Sequence, residues 1–459
     1  MPLLAALMVV GTTAARAGEY AVRIDAGLSL LGVSACFDAP APDSLLASMP
    51  DAPAYLKRAR IAGGEWGAWN GAGEIPLSGT GDRRCVEYEV DARSAARTPR
   101  FARANRPGAG VLLLDPRSWL WLPEPDRASH RLRFDLPDGM HVSAPWPEDG
   151  RGFDVDGSLA ENGSALVAIG RMAPERIVVP GAELRFAVLP GSPAAEQAMV
   201  REWVRHGARA VTTVYGSFPV PSPQVLVVPI GRGGEPVPWG QVLRSGGAAA
   251  HLFIDQTRPA AEFAGDWVLV HELSHLLHPD LGADSAWLAE GLATYYQYVA
   301  RVRAGMMTEQ QAWQKLHEGF ERGRAQTRRG VDLIAATRSM REQRIFMRVY
   351  WTGTGVALLA DLALRDSGSS LDSVLGKFRD CCIAEARTWE TREFLERLDR
   401  ISGTGVLSEL ARTYLHSDRF PDLREAYDRL GLRVVEGQIE LAGDASAAGL
   451  RRAIMEPRI

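Results

Sequence analysis

Two neighbouring segments near the middle of the chain constrain its fold more than any other feature. The first, residues 268–277, is apolar on almost every side of a helix, which predicts that this helix is buried. It carries His271 and His275, whose spacing of four residues puts both imidazoles on one helix face, with Glu272 beside them. These side chains need a partner that offsets their desolvation, and a divalent metal ion is such a partner. The segment therefore predicts a metal site, the alternative being two hydrogen-bonded core histidines.

The second segment, Trp287–Tyr296, supplies a third ligand. A zinc ion held by two histidines needs a third protein ligand and an open position for water. Pro279 and Gly282 end the first helix, so the next helix runs back beside it and brings Glu290 to the height of the histidines, next to a small Gly291. Glu290 is therefore the predicted third ligand. Three other candidates fit less well, because one lies too far along the helix and two lie in a turn: His278, Asp280 and Asp284.

Length and composition bound the class of protein. A chain of 459 residues suggests two or three domains. With 46% hydrophobic and 24% charged residues it has the composition of a soluble globular protein. The formal net charge is -4 and the basic residues are scattered, so we expect no nucleic-acid partner.

The N-terminus resembles a secretory signal peptide. Residues 1–10 form a short apolar run, and residues 15–17 read Ala-Arg-Ala, a small-x-small cleavage pattern. The run is shorter than the ~20 residues of a membrane span. We therefore expect a signal peptide over residues 1–17, export to the periplasm or the extracellular space, and no stable membrane span after cleavage. An uncleaved anchor or a misplaced start codon is the alternative.

The four cysteines allow three pairings. Cys36 and Cys85 both lie in strand-like sequence of the N-terminal third, so their pairing is the predicted disulfide. Cys381 and Cys382 are neighbours, and we do not expect them to bridge each other. Four free buried thiols are the alternative. The sequence has no Cys-x-x-Cys pair, which argues against a cysteine zinc site.

Periodicity divides the chain into regions. Residues 18–191 alternate apolar and polar residues between turn-forming clusters, which predicts an antiparallel β domain resembling a sandwich. Residues 192–305 combine a helix, two buried strands and the histidine helix. Residues 306–432 are almost wholly helical. A capping box over Thr308–Gln311 opens the first helix, and further helical patterns cover roughly 347–365, 371–379, 389–400, 404–416 and 421–430. Residues 433–459 read as a short strand-like piece and a polar tail. The predicted fold class is α+β, with the helical domain completing the site.

The two segments at residues 268–277 and 287–296 resemble a known group of enzymes. His-Glu-x-x-His, a spacer and Trp-Leu-x-Glu-Gly-x-Ala-Thr-Tyr-Tyr are similar to the gluzincin metallopeptidases, whose catalytic domain has a thermolysin-like fold. Residues 350–375, with Leu-Leu-Ala-Asp-Leu-Ala-Leu-Arg and Ser-Leu-Asp-Ser-Val-Leu, resemble the glycyl aminopeptidase family in particular. Most members of that family carry a PDZ domain. The likeness to the aminopeptidase N family is more distant. The resemblance covers roughly residues 20–432.

The resemblance implies roles for single residues. It implies a peptidase with one zinc ion on His271, His275 and Glu290, in which Glu272 takes the proton of the zinc-bound water. Tyr350 matches the family's tyrosine that steadies the oxyanion of the tetrahedral intermediate.

Three features depart from the family pattern. The spacer between His275 and Glu290 has 14 residues, which is shorter than usual. The family's Gly-Gly-Leu-Glu-His segment appears as Gly-Gly-Ala-Ala-Ala-His over residues 246–251, with alanine where a glutamate helps to bind a free amine. No segment of PDZ length follows Leu432. Gly247 and His251 are predicted substrate contacts, because the strand of His251 would border the cleft. A buried or solvent-facing His251 is the alternative.

The predicted function is hydrolysis of peptide bonds in peptide or protein substrates. The enzyme would be an aminopeptidase-like exopeptidase or a related endopeptidase. A non-catalytic, zinc-containing binding module with a peptidase fold is the alternative. A purely structural zinc would need four protein ligands, and the sequence offers no clear fourth.

Overall fold

The computed structural model describes residues 18–38, 41–61, 63–77, 83–97, 110–123, 129–155, 166–191, 194–244, 247–383, 387–442 and 445–456. The predicted signal peptide lies outside these residues. The chain divides into two compact units, Met1–Arg171 and Met172–Ile459. Among the described residues, no helix is long and apolar enough to cross a membrane.

In its described residues, the first unit contains strands, two short α-helices and a 3-10 turn at Pro116–Ser118. In chain order the strands and α-helices are β1 Gly18–Ile24, β2 Leu30–Asp38, β3 Ser44–Leu46, α1 Ala52–Tyr55, β4 Leu56–Ile61, β5 Gly67–Ala68, β6 Glu74–Pro76, β7 Arg83–Asp91, α2 Ala92–Ala95, β8 Val111–Leu114, β9 His130–Asp135, β10 His141–Ser143, β11 Phe153–Val155 and β12 Val167–Gly170.

Two main sheets share the core of this unit. The larger has the order β11-β9-β1-β2-β7-β4-β5, and the smaller has the order β10-β12-β8. Buried residues alternate with exposed ones along β1, so one face of the larger sheet is buried. Leu114 and Ile169 of the smaller sheet lie in the same apolar cluster as Val22 of the larger. The predicted sandwich-like β domain is confirmed.

The second unit contains the remaining elements. They are β13 Glu175–Val179, β14 Ala182–Val188, α3 Ala194–Thr212, β15 Gln224–Pro229, β16 Trp239–Leu243, β17 Ala249–Ile254, α4 Ala260–Gly265, α5 Val268–Ser274, a 3-10 turn His275–Leu277, a second 3-10 turn Ala283–Ser285, α6 Ala286–Arg303, α7 Glu309–Ala325, α8 Leu333–Gln343, α9 Phe346–Asp366, α10 Leu371–Cys382, α11 Thr391–Ser402, α12 Val406–Leu415, α13 Arg424–Leu430, β18 Leu432–Val435, β19 Gln438–Leu441 and α14 Ala445–Met455.

A five-stranded sheet of order β13-β14-β15-β17-β16 begins this unit. β14 pairs in parallel with β15, from Arg185 opposite Gln224 to Val188 opposite Val227. The units therefore divide before β13, whereas the boundary predicted from the sequence lies at 191/192. The difference arises because the strand-like residues 175–188 complete the sheet of the second unit. The sheet and the later helices share one apolar core, so the units do not divide at 305/306 either.

The helical region follows the sequence closely, with two additions. The predicted capping box is present: Thr308 Oγ1 accepts the Gln311 N–H at 3.2 Å, and Gln311 Oε1 accepts the Thr308 N–H at 2.9 Å. The helices α8 and α14 were not predicted, and residues 433–459 are not simply a tail. Arg303 of α6 donates to the carbonyl of Ile454 at 2.6 Å, which fixes α14 to the core.

The structure contains two disulfides. Cys36 of β2 lies directly opposite Cys85 of β7 with their Cα atoms 4.1 Å apart, and the predicted bond between them is confirmed. Cys381 and Cys382 form the second disulfide, so the expectation that these neighbours do not bridge each other is wrong. Both cysteines lie at the C-terminal end of α10, so the bridge between them does not interrupt the helix.

Candidate metal centre

Two helices bring three ligand groups together. His271 lies in the last turn of α5, His275 opens the 3-10 turn after it, and Glu290 lies near the start of α6. Glu290 Oε2 is 3.2 Å from His271 Nε2 and 3.5 Å from His275 Nε2. One ligand atom from each of the three residues lies within 4.8 Å of the others. The structure therefore places the three predicted ligands in one cluster.

The other ring nitrogen of each histidine has a partner. His271 Nδ1 is 3.0 Å from Gln297 Oε1, which can only accept, so Nδ1 carries the proton. His275 Nδ1 is 3.4 Å from His278 Nε2, and His278 Nδ1 is 2.8 Å from the carbonyl of Pro279. That carbonyl requires a proton on His278 Nδ1, which leaves its Nε2 as an acceptor. Both histidines thus direct Nε2 towards Glu290, while Nδ1 contacts another partner.

The electrostatics favour an ionised Glu290. Burial alone would raise its pKa, but the nearby imidazoles of His275 and His271 outweigh burial and hold the pKa well below its usual range. Burial lowers the pKa of His271, and its contact with the Glu290 carboxylate outweighs that effect and raises it. Burial also lowers the pKa of His278, which keeps that ring neutral. Glu290 therefore supplies an ionised carboxylate, which is a ligand for a cation.

The donor set and its spacing fit zinc. Zinc binds imidazole nitrogen and carboxylate oxygen at about 2.1 Å, and in a tetrahedral site this puts ligand atoms about 3.4 Å apart. The distances of 3.2 and 3.5 Å from Glu290 to the two histidines match that edge. Three protein ligands leave a fourth position open, which is typical of a catalytic rather than a structural zinc site.

A close crossing of α6 and α9 places Tyr350 beside the cluster. A Cβ on Gly291 would lie 2.5 Å from the Cα of Gly353, so the helices can approach this closely only because both residues are glycine. Gly291 follows Glu290, and Gly353 lies one turn after Tyr350. Burial raises the pKa of Tyr350, and the carboxylates of Glu290 and Glu272 raise it further, so the phenol stays protonated as a hydrogen-bond donor.

Glu272 faces the edge strand β16. The backbone of Gly240 approaches it so closely that a Cβ there would lie 2.5 Å from Glu272 Cγ. Burial raises the pKa of Glu272, although His271 and His275 lower it in part. β16 was missed from the sequence, which reads there as a loop rich in Gly and Pro. The only local signal was the short run Trp239-Gly-Gln-Val-Leu243.

The two predicted substrate contacts have different outcomes. His251 of β17 is fully buried, with Nδ1 2.9 Å from Gln241 Nε2 and Nε2 3.2 Å from Gln224 Oε1. The prediction that His251 contacts substrate is therefore wrong, because the ring is hydrogen-bonded inside the sheet. Gly247 has φ +144°, a conformation that favours glycine, which accounts for this residue without a substrate. Its contact with substrate stays a prediction.

Comparisons with known proteins identify a family segment and the fold. Residues 268–352 match the model of the M61 glycyl aminopeptidase family. Among solved structures, an aminopeptidase N family protein from Idiomarina loihiensis is similar with a TM-score of 0.66 and 14% identity, over 90% of this chain and 78% of that chain. The M1 zinc metallopeptidase from Deinococcus radiodurans has a TM-score of 0.51 and 16% identity, over 89% of this chain and 94% of that one.

Yeast LTA4 hydrolase in complex with bestatin is also similar, with a TM-score of 0.54 and 14% identity, over 89% of this chain and 68% of that chain. No curated protein matches the sequence. At these identities the structural likeness shows the fold, which is α+β with a β-rich N-terminal region and a helical C-terminal region. The resemblance to the glycyl aminopeptidase family and to the aminopeptidase N family is confirmed. Fold and family segment together support a metallopeptidase, and hence a hydrolase.

Proposed function

We propose that this protein is a zinc-dependent peptidase that uses one zinc ion on His271, His275 and Glu290. The observation that carries the proposal is the convergence of two imidazole nitrogens and a carboxylate at the spacing of a tetrahedral site. When bound, zinc would polarise the scissile carbonyl and lower the pKa of a coordinated water.

Two side chains perform the remaining chemistry. Glu272 lies beside the cluster on α5, and its raised pKa suits a group that takes a proton from the attacking water and passes it to the leaving amine. The protonated Tyr350 hydroxyl donates a hydrogen bond to the developing oxyanion, an interaction worth about 3 kcal/mol at such sites.

The edge strand supports a peptide as the substrate. β16 is the last strand of its sheet, so one of its edges can accept an additional strand. An extended peptide paired there would pass Glu272 at Gly240, where the absence of a Cβ lets the Glu272 side chain lie against the strand. We infer that peptide or protein segments bind in this way.

The decisive test separates catalysis from binding. We expect Glu272→Ala to retain one equivalent of zinc by elemental analysis and to lose turnover of a mixed peptide library by at least 100-fold. The matched control is Glu396→Ala on α11, whose carboxylate is 57% exposed and which should cut like the wild type. Equal cutting by Glu272→Ala and wild type would refute the mechanism. Zinc and peptide binding without cutting by the wild type would favour the binding module.

The same library separates the two kinds of peptidase. Release of single N-terminal residues identifies an aminopeptidase, and cuts within the chain identify an endopeptidase. The alanine at the family's amine-binding position favours the second outcome. Removing zinc with a chelator should stop cutting in either case, and adding zinc should restore it.

We also propose that the protein is exported to the periplasm or the extracellular space. The support is the apolar run at residues 1–10 with the small-x-small pattern after it, together with two disulfides, a bond that persists in oxidising compartments. N-terminal sequencing of the secreted protein should begin at Gly18, and an intact Met1 would refute the cleavage.

A further inference from the structure

Trp267 stands out among the tryptophans of the chain. All twelve lie within the described residues, and Trp267 is the one with an exposed side chain, at 44%. An exposed indole offers a large apolar surface that a ligand can contact. Its ring lies against the ligand His271, with ring centroids 5.4 Å apart at an interplanar angle of 81°. The exposed indole therefore borders the metal centre.

The backbone holds Trp267 in place. Asp266 Oδ1 accepts the Val268 N–H at 2.8 Å, and the Trp267 carbonyl accepts the His271 N–H at 3.0 Å as α5 begins. The residue is thus fixed on both sides by hydrogen bonds, one of them to the ligand histidine. An indole held in this way presents a rigid apolar surface beside the reacting bond, which can bind a side chain at a low cost in conformational entropy.

We propose that Trp267 forms a specificity subsite for a large apolar or aromatic side chain on the residue that follows the cleaved bond. The inference rests on the proposed peptidase function. Glu272 delivers its proton to the leaving amine, and this amine belongs to the residue after the cut. Trp267 is the N-cap residue of α5 and Glu272 lies within α5, whereas Tyr350 lies on α9. The residue after the cut is therefore the one that reaches the indole.

Cleavage positions test the subsite. In a peptide library read by mass spectrometry, the wild type should favour Phe, Tyr, Trp or Leu immediately after the cut. Trp267→Ala should lose this preference, with kcat/KM falling about tenfold for a Phe-containing substrate and changing less than twofold for its Gly counterpart. Trp267→Phe should keep most of the preference, and zinc content should be unchanged in both variants. The matched control is Val178→Ala, which removes an apolar side chain, 66% exposed, at the opposite edge of the sheet.

A binding measurement keeps the subsite testable without turnover. Zinc-loaded Glu272→Ala should bind a Phe-containing tripeptide about tenfold more tightly than Glu272→Ala combined with Trp267→Ala. The same cleavage profile in wild type and Trp267→Ala, equal tripeptide binding, or a preference before the cut would overturn the subsite. Any of these results, together with persistent zinc-dependent cutting, would contradict the subsite without contradicting the peptidase function. Loss of the peptidase function would appear instead as zinc-loaded wild type that cuts nothing.

Discussion

Replacing Gly353 with alanine tests the helix crossing that holds the site together. Gly353 of α9 meets Gly291 of α6, and these glycines lie next to the segments that carry Tyr350 and Glu290. A Cβ on Gly353 would lie 2.9 Å from the Cα of Gly291 and would overlap the backbone carbonyl oxygen of Trp287. Carbon atoms normally approach to about 3.5–4.0 Å, so the helices would have to separate locally by about 1 Å.

Two opposing effects determine how much stability Gly353→Ala loses. Alanine favours a helix over glycine by about 1 kcal/mol. Overpacking a core typically costs about 1–3 kcal/mol, and the cost lies at the upper end here because the obstacle is backbone, which has no alternative rotamer. We therefore expect a net loss of about 2 kcal/mol of stability. Moving Glu290 and Tyr350 apart by about 1 Å should also lower kcat/KM by about 100-fold.

The assay compares Gly353→Ala with Gly355→Ala on the same helix. A Cβ on Gly355 would lie 3.5 Å from Pro421, an ordinary contact, so this control should be as stable as the wild type or slightly more stable. Urea unfolding of the zinc-loaded proteins gives the stability, and competition with a chelator gives the zinc affinity. Equal stability and zinc affinity in the two variants would show that the glycine crossing does not position the site.

Three further predictions concern other parts of the molecule. Burial raises the pKa of Asp266 to about 6, above ~4 in an unfolded chain, so the stability it contributes is full below pH ~4 and is lost as the pH rises to about 6. Asp266→Asn, which keeps an acceptor for the start of α5, should therefore gain ~3 kcal/mol relative to wild type between pH 4 and pH 7. Gln297→Leu removes the partner of His271 Nδ1 at 3.0 Å and should weaken zinc binding about 10–100-fold in a chelator competition. Replacing Cys36 and Cys85 with serine opens a link across 49 residues and should cost up to about 4 kcal/mol in urea unfolding.

Each of these has a result that contradicts it. A stability difference between Asp266→Asn and wild type that stays constant from pH 4 to pH 7 would rule out titration of Asp266. Unchanged zinc affinity in Gln297→Leu would mean that the amide does not orient the imidazole. An unchanged urea midpoint without the disulfide would mean that the register of β2 and β7 is maintained without it.

The local geometry of the site could be predicted because it depends on spacing within a helix. His271 and His275 share a face through the four-residue repeat of α5, and Glu290 follows because the turn before α6 is short. The capping box at Thr308 and the pairing of Cys36 with Cys85 were likewise readable from short patterns.

Other features depend on contacts between distant segments, which local patterns do not specify. The sequence of β16 is typical of a loop, and the segment is a strand because it pairs with β17. That pairing places Gly240 against Glu272 and buries His251 inside the sheet. Residues 175–188 alternate like the strands before them, but β14 pairs with β15 and so belongs to the second unit.

The sequence by itself determined which residues form the candidate site, and the tertiary structure determined which residues surround it. The helical repeat places His271 and His275 on one face, because neighbours on a helix have fixed geometry. The partners Gln297 and His278 and the exposed Trp267 became visible only once the helices were packed. Hydrogen bonds and solvent exposure depend on which surfaces meet in space, and one-dimensional spacing does not contain that information.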